Sequence, residues 1–364
     1  MKILYDHQIY LIQNFGGISR YFNELMNIAN PHIEIERIEP SLFNIIDEPL
    51  DSSFLSRAGR FVERKLGVSK PAREAFPVKA SVKLESGDFD ILHPTYYDPY
   101  FLDKTKKPFV LTVHDMIHEV FKEGFSISDP TTHNKVILCK EAKKIIAVSD
   151  KTKGDLMSIL NIPEDKIVVT HLASDFHLVI PSRPSLPAQL GKYILFVGNR
   201  GGYKNFYFMV IALSNLLKND SELKLLCTGH PFSQDEISFF DNFGIKEQVV
   251  NAYLKDDKEL AWCYQNAELF IFPSLYEGFG LPILEAFASN CPVVSSNGGS
   301  LPEVGGDAAL YFDPKSIADI QATVKQVLYS KDIKASLIAK GSHQAKKFSW
   351  DRCRMDTLAV YQSM

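Results

Sequence analysis

The sequence predicts an α/β protein of two domains, each built around a parallel sheet. Its 364 residues exceed one ordinary domain, which suggests two domains of similar size. Short apolar segments typical of buried strands alternate with longer segments that have helical periodicity. A glycine-rich turn follows several of the strand-like segments, at the place where open α/β sheets bind ligands.

A linker is predicted between residues 174 and 191, which carry three prolines and no clear periodicity. The N-terminal domain then covers residues 1–173, and the C-terminal domain covers residues 192–345. Residues 346–364 follow as a closing segment with a predicted helix.

The composition excludes several classes of protein. The chain has 40 basic and 44 acidic residues and a formal net charge of −4, which argues against a general nucleic-acid binder. Its beginning lacks a signal-peptide core, and no apolar run is long enough to cross a bilayer. The five cysteines are scattered and form no metal-binding pattern. We therefore expect a cytoplasmic protein without a bound metal, either soluble or attached peripherally to the inner face of the membrane.

The N-terminal domain offers two candidate sites, each after a predicted strand. Residues 3–5 are strand-like, and the pair Gly16 and Gly17 stands just before a helical segment. Such a pair can receive a phosphate through backbone N–H groups, although a tight turn without a ligand is the alternative. Residues 109–113 form a strongly apolar strand that ends at His114, where α/β proteins collect catalytic groups. A histidine bonded only to structural neighbours is the alternative there.

Two further stretches of this domain allow more than one interpretation. Residues 57–83 contain eight basic and two acidic side chains interleaved with apolar ones. This pattern fits a solvated helix face, or a basic amphipathic patch that contacts anionic lipid or a lipid-diphosphate acceptor. Asp88 and Asp90 imitate a metal-binding Asp-x-Asp motif. Because they run directly into the strand-like residues 91–93, we expect a polar lead-in without a metal. A position at the cleft stays open for His93 at the strand end.

In the C-terminal domain, two cations stand in a glycine-rich turn. Arg200 and Lys204 follow the strand-like residues 193–197 and lie beside three glycines. A guanidinium and an ammonium this close together can both meet a diphosphate. A surface turn that happens to carry two cations is the alternative.

The most informative stretch runs from residue 269 to residue 287. Strand-like residues 269–272 lead into a glycine loop, and Pro282 stands where a helix begins. The free N–H groups of such a loop favour negative charge. Glu277 on the loop and Glu285, expected in the first helical turn, are separated by seven residues and can face one polyol from two sides. A capping acid and a plain turn are the alternatives.

The string from Glu277 to Glu285 resembles the Glu-x7-Glu signature of glycosyltransferase family 4, and residues 293–304 continue the match. The whole chain fits this family of retaining nucleotide-sugar enzymes. The resemblance implies the GT-B fold, in which two Rossmann-like domains face each other across a cleft. It also implies that the last helix crosses back to the N-terminal domain.

The resemblance implies a role for each candidate residue. Arg200 and Lys204 would bind the donor diphosphate. Glu285 would bind the ribose hydroxyls and Glu277 the hydroxyls of the sugar, while His114 would contact the transferred sugar near its reacting carbon. The other donor-binding positions would act largely through backbone groups or flank the nucleobase: Gly16, Gly17, Gly278, Phe279, Gly280, Leu281, Tyr253 and Leu254.

The implied function is transfer of a hexose, such as mannose, from a nucleotide-diphosphate sugar. GDP-mannose is the first choice of donor, and a UDP-hexose or a deoxysugar nucleotide is the second. The acceptor would be a glycan or a polyprenyl-diphosphate-linked oligosaccharide of a bacterial surface polysaccharide such as O-antigen. The family uses no cofactor and no protein nucleophile. The alternatives are a sugar-nucleotide epimerase of the same architecture and a non-catalytic sugar-binding protein.

Overall fold

The computed structural model describes residues 1–13, 16–38, 80–187 and 190–364. Its described strands form three sheets, and every pair of neighbouring strands is parallel. The predicted α/β class is therefore confirmed. Residues 57–79 of the basic stretch lie outside the described residues, so the suggested contact with lipid stays a prediction.

Two three-stranded sheets make up the N-terminal half. The first contains β1 (Lys2–Tyr5), β2 (Glu34–Arg37) and β3 (Ile91–His93) in the order β2-β1-β3. The second contains β4 (Val110–Val113), β5 (Lys144–Ala147) and β6 (Ile167–Val169) in the order β4-β5-β6. A single bridge between Leu92 and Phe109 connects the edge strand β3 with the start of β4.

The C-terminal half contains one six-stranded sheet in the order β12-β11-β10-β7-β8-β9. Its strands are β7 (Lys192–Phe196), β8 (Leu223–Thr228), β9 (Val249–Ala252), β10 (Leu269–Phe272), β11 (Val293–Ser296) and β12 (Ala309–Phe312). The strand order reverses between the neighbours β7 and β10: β8 and β9 follow on the side of β7, and β11 and β12 follow on the side of β10. Such a switch point opens a crevice at the carboxyl ends of the strands. The loops that carry Arg200 and Glu277 leave these two strands and therefore border the crevice.

Helices cover the sheets, and several begin at a capping side chain. In chain order they are α1 (Gln8–Ile12), α2 (Gly17–Met26), α3 (Ile117–Val120), α4 (Thr131–Glu141), α5 (Asp150–Leu160), α6 (Phe206–Asn219), α7 (Gln234–Asn242), α8 (Asp257–Gln265), α9 (Leu281–Ala288), α10 (Leu301–Gly305), α11 (Ile317–Leu328), α12 (Lys331–Ala345) and α13 (Trp350–Gln362). Serine or aspartate oxygens accept backbone N–H groups at the starts of α5, α7, α8, α11, α12 and α13. These caps satisfy donors that a helix start leaves free. In the part of the chain that the structure describes, no helix has the length and apolar character needed to span a bilayer.

The last helix, α13, packs on α2 of the N-terminal half. Arg354 forms an ion pair with Glu24 at 2.8 Å. The Tyr361 hydroxyl lies 2.6 Å from the Tyr5 hydroxyl and 2.6 Å from Nδ1 of His93. His93 is fully buried, and its other ring nitrogen is also hydrogen bonded. Of the two positions left open for His93, the structure shows the core and not the cleft, because core contacts occupy both ring nitrogens.

Candidate active site

The loop between β10 and α9 is anchored through its carbonyl groups. The Ser300 hydroxyl lies 2.6 Å from the carbonyl oxygen of Phe279 and 3.0 Å from that of Glu277. Among the described residues, no hydrogen bond is donated by the N–H groups of residues 278–280. Because α9 begins directly after this loop, its free donors form a site that can bind an anion.

Two glycines allow this loop to reach the N-terminal half. Gly280 has a φ of 116°, which other residues rarely adopt, and it caps the start of α9. Gly278 lies against His114, and a Cβ atom on Gly278 would overlap the carbonyl oxygen of His114. The Ser149 hydroxyl donates a hydrogen bond to the Gly278 carbonyl at 2.7 Å. The two halves therefore meet, backbone to backbone, beside the predicted catalytic histidine.

Both predicted cations lie at the crevice, and each contacts a carboxylate. Nζ of Lys204 lies 2.6 Å from Oε1 of Glu277. Nε of Arg200 lies 2.5 Å from Oε1 of Glu236, and its Nη2 donates to the His230 carbonyl at 2.8 Å. Burial alone would raise the pKa of Glu236, but hydrogen bonds, chiefly from Arg200, outweigh burial and lower that pKa. Arg200 is thus anchored at the start of α7, and Lys204 beside the glycine loop.

Glu285 lies in the second turn of α9, because the helix begins at Leu281, one residue before the predicted start at Pro282. The expectation of a position in the first turn is wrong. Tyr264 donates its hydroxyl to Oε2 of Glu285 at 3.2 Å, and Nη1 of Arg20 lies 3.8 Å from Oε1. Nη2 of Arg20 lies 2.5 Å from Oδ2 of Asp257. Burial raises the pKa of Glu285 to about 7; Arg20 opposes this rise and Asp257 adds to it.

His114 is buried at the end of β4 and keeps one ring nitrogen for a ligand. Its Nε2 has no hydrogen-bond partner within the described residues. Its backbone N–H donates to the Tyr97 hydroxyl at 3.1 Å, which holds the strand end in place. Burial lowers the pKa of His114 to about 4, although the Asp115 carboxylate opposes this effect. The imidazole is therefore neutral at pH 7 and suits a polar contact with a ligand.

A cavity of about 960 Å³ lies between the two halves beside these groups. We call it the donor cavity; its volume is typical of small-molecule sites. Its walls include six of the predicted positions: Gly16, Gly17, Arg200, Lys204, Tyr253 and Leu254. Tyr253 is 47% exposed, so its ring is available to a ligand rather than packed in the core. A second cavity of about the same volume, beside the start of β4, contains none of the predicted site residues.

Comparisons with known proteins cover nearly the whole chain. The family model described as Glycosyltransferase Family 4 matches residues 51–178, and the one described as Glycosyl transferases group 1 matches residues 182–344. The O-antigen chain mannosyltransferase B of Escherichia coli is 32% identical over 380 residues, which cover 95% of this chain and 96% of that protein. The chain belongs to glycosyltransferase family 4.

Solved structures show the fold of the chain. Sucrose-phosphate synthase from Thermosynechococcus elongatus matches with a TM-score of 0.72 at 17% identity, covering 100% of this chain and 98% of that chain. HepE from Anabaena, solved in complex with UDP-glucose, matches with a TM-score of 0.72 at 15% identity and covers 100% of both chains. The predicted GT-B fold is confirmed. As a member of family 4, the protein is a retaining hexosyltransferase.

Two predicted positions of this family 4 site can contribute only in a restricted way. The Phe279 ring is buried against Phe348 and His171, with ring centroids 5.7 Å and 6.0 Å away. Only the backbone of Phe279 can therefore reach a donor. The Leu281 side chain lies against Gly17, where a Cβ atom would be 3.3 Å from it. This contact brings the starts of α2 and α9 together across the cleft.

The sequence analysis assigned no role to three charged residues around this family 4 site: Arg20, Lys135 and Glu119. Nζ of Lys135 lies 2.9 Å from Oε2 of Glu119, and their side chains are 0% and 1% exposed. Nζ also donates to the Asp115 carbonyl at 3.0 Å, so it supports the backbone that follows His114. The sequence contained a signal for Arg20: a cation one helical turn after the glycine pair faces the same ligand site as that pair. Lys135 lies in a helix with no distinctive pattern, and only the structure identifies it.

One group of potential metal ligands occurs among the described residues: Asp150, His171 and Glu303. Glu303 accepts the backbone N–H of Asp150 at 2.9 Å, and Nε2 of His171 lies 2.7 Å from the same carboxylate. These contacts make the group a junction between the two halves. The two aspartates of the Asp-x-Asp string, Asp88 and Asp90, do not belong to this group. Asp88 instead forms an ion pair with Lys2 at 3.1 Å.

Proposed function

We propose that this family 4 enzyme transfers mannose from GDP-mannose to a growing bacterial surface glycan. The observation that carries the proposal is the donor cavity, whose walls combine a glycine pair, two cations and an exposed tyrosine. The relative from Escherichia coli is a mannosyltransferase of the O-antigen chain, which supports mannose as the sugar. The acceptor is a glycan or a polyprenyl-diphosphate-linked oligosaccharide, and the basic stretch 57–83 serves its approach from the membrane.

The donor diphosphate binds between Lys204 and the free N–H groups of residues 278–280. Negative charge grows on the diphosphate as the glycosidic bond breaks, and fixed donors in a water-poor cleft stabilise that charge electrostatically. Lys204 then shares its ammonium between the diphosphate and Glu277, which lies 2.6 Å from it in the structure. Glu277 is thereby directed toward the hydroxyls of the sugar, while Arg200 forms the wall of the cavity behind the phosphates.

The other site residues orient the two ends of the donor. Glu285 accepts the ribose hydroxyls in its ionised form, and the exposed ring of Tyr253 offers a face to the nucleobase. Nε2 of His114 contacts the transferred sugar. Because burial lowers the pKa of this imidazole to about 4 and keeps it neutral, it positions the sugar and does not act as a general acid. For transfer with retention, the departing phosphate oxygen takes the proton of the attacking acceptor hydroxyl on the same face of the sugar.

The test is a panel of GDP-, UDP- and dTDP-sugars offered first alone and then with a mannose-terminated oligosaccharide, with and without EDTA. We expect release of GDP from GDP-mannose and formation of an α-linked product, both in the presence of EDTA. Lys204→Ala and Glu277→Gln should abolish both. Lys153→Ala is the matched control, because Lys153 pairs with Glu164 at 2.8 Å away from the donor cavity.

Other outcomes would contradict the proposal in distinct ways. Turnover of a UDP- or dTDP-sugar alone would overturn GDP-mannose as donor but not the transferase. Release of an epimerised free sugar without transfer would favour the epimerase. Binding of a nucleotide sugar without any turnover would favour a non-catalytic sugar-binding protein.

A further inference from the structure

A second cavity lies on the far side of the turn that carries Lys204. It has a volume of about 620 Å³. Residues 120–125 of the N-terminal half form one wall, and Asn199, residues 201–204 and Leu275 form the other. We call it the aromatic cavity. It shares four wall residues with the donor cavity: Asn199, Gly201, Tyr203 and Lys204. The two cavities are therefore neighbours on either side of the proposed diphosphate contact.

The aromatic cavity combines apolar surfaces with a few polar groups. Val120 is 43% exposed, and the side chains of Phe121, Phe125 and Tyr203 are half-buried. The rings of Phe121 and Tyr203 have centroids 6.2 Å apart and an interplanar angle of 32°. The amide of Asn199 and two exposed side chains of opposite charge complete the lining. Such a mixture, in a cavity of this volume, is typical of small-molecule sites.

The rings of the aromatic cavity are held by their neighbours. Phe125 stacks on His118 with ring centroids 3.8 Å apart, and Nε2 of His118 lies 3.5 Å from Oδ2 of Asp129. The N–H of Leu275 donates to the Tyr203 carbonyl at 2.7 Å, which ties the loop after β10 to the turn that carries Lys204. A surface that is already ordered loses little conformational freedom when a ligand binds.

The charges around the aromatic cavity favour a neutral ligand over an anionic one. Lys204 is already paired with Glu277 at 2.6 Å. Lys122 is adjacent in the chain to Glu123, and both are exposed. Binding of a lipid diphosphate would need an excess of positive charge or donors aimed into the cavity. Because Glu277 pairs with Lys204, the charges left in the lining are those of Lys122 and Glu123, which balance each other.

We propose that the aromatic cavity binds the acceptor through a neutral pyranose residue near the end of its glycan. A pyranose has apolar C–H faces, which pack on aromatic rings, and hydroxyls, which bond to the surrounding amide and charged groups. The inference rests on the proposed function: with the donor phosphates at Lys204 and the donor sugar at Glu277, the acceptor enters from the side opposite the nucleotide. The aromatic cavity adjoins Lys204 and lacks the residues proposed to flank the nucleobase, Tyr253 and Leu254, and both halves of the protein contribute to it.

Gly124→Trp tests this assignment by filling the aromatic cavity. Gly124 lines it, and a Cβ atom added there meets no atom within 4 Å, so the backbone accepts a side chain. Gly154→Trp is the matched control, because Gly154 is exposed on α5 and equally free of neighbours. The assay measures initial rates with GDP-mannose and a fluorophore-labelled α-mannotriose, together with donor hydrolysis when no acceptor is added. Thermal unfolding confirms that each variant folds.

We expect Gly124→Trp to raise KM for the mannotriose by about ten-fold or more, a size typical of changed packing in a binding pocket. The ratio of transfer to hydrolysis should fall by the same factor, and Gly154→Trp should leave both quantities unchanged. Phe121→Ala, which removes a ring without adding bulk, should act in the same direction.

Three results would overturn the assignment. An unchanged KM for mannotriose in both Gly124→Trp and Phe121→Ala would exclude the aromatic cavity as the acceptor site. Unchanged transfer to mannotriose, with reduced transfer to a polyprenyl-diphosphate-linked glycan, would assign the cavity to lipid instead. A wild-type protein that turns over no nucleotide sugar, either alone or with any of these acceptors, would refute the proposed function itself, and this result is distinguishable because it appears without any substitution.

Discussion

Arg20→Met is expected to weaken donor binding most strongly at neutral and lower pH. Nη1 of Arg20 lies 3.8 Å from Oε1 of Glu285, and the pKa of this carboxyl is raised to about 7, chiefly by burial. Arg20 counteracts that rise, whereas Asp257 strengthens it. Without Arg20 the pKa of Glu285 rises further. A smaller fraction of the enzyme then carries the ionised carboxylate that we propose accepts hydrogen bonds from the ribose hydroxyls.

The separation of the charges sets the size of the effect. Two unit charges about 4 Å apart interact by about 4 kcal/mol at an effective dielectric constant of about 20. The Arg20 side chain is 34% exposed, so solvent screens part of this energy, and we take about 1.4 kcal/mol, or about one pKa unit. A rise in the pKa of Glu285 from about 7 to about 8 lowers the ionised fraction at pH 7 from about one half to about one tenth. The donor KM should therefore rise about five-fold at pH 7.

The assay follows GDP release from GDP-mannose between about pH 6 and about pH 9. The acid limb of kcat/KM should move to higher pH by about one unit in Arg20→Met, and the difference from wild type should vanish near pH 9, where Glu285 is ionised in both proteins. Glu285→Gln should lack this limb. Arg354→Met is the matched control, because Arg354 pairs with Glu24 at 2.8 Å outside the donor cavity.

One result would refute this reasoning directly. If Arg20→Met lowered activity by the same factor at every pH and kept the wild-type acid limb, Arg20 would not influence the charge of Glu285. Its contact with Asp257 would then be a purely structural link between the two halves.

Two further predictions concern the contacts around His114. Lys135→Met leaves Glu119 buried without its partner and should destabilise the protein by about 3–5 kcal/mol in urea unfolding; adding Glu119→Leu should recover most of this loss, and a double variant as unstable as the single one would contradict the account. Gly278→Ala introduces a Cβ atom into the His114 carbonyl and should lower transfer by about 100-fold through misplacement of the loop. Gly154→Ala is its control, and full activity of Gly278→Ala would rule out the close approach.

Local patterns were sufficient to predict the fold and much of the site. The strand-like residues 269–272 and the glycine loop after them appear as β10 and the turn into α9, because periodicity and turn chemistry act between near neighbours in the chain. The same patterns could not fix the helix start closely enough. Gly280 has a positive φ and caps α9, which begins at Leu281, one residue before Pro282, so Glu285 falls in the second turn, where it faces the other half of the protein.

The sequence by itself determined the strand, turn and helix units, the residue types at their ends, and through them the family. Only the tertiary structure decided which distant residues meet. Arg20 pairs with Asp257 across 237 residues, and Gly278 rests on His114. Likewise, no local pattern could show that both ring nitrogens of His93 are bonded in the core, by Tyr361 and Thr112. The physical reason is that local propensity acts within a few residues, whereas the partner of a charged or buried side chain depends on how whole sheets and helices pack.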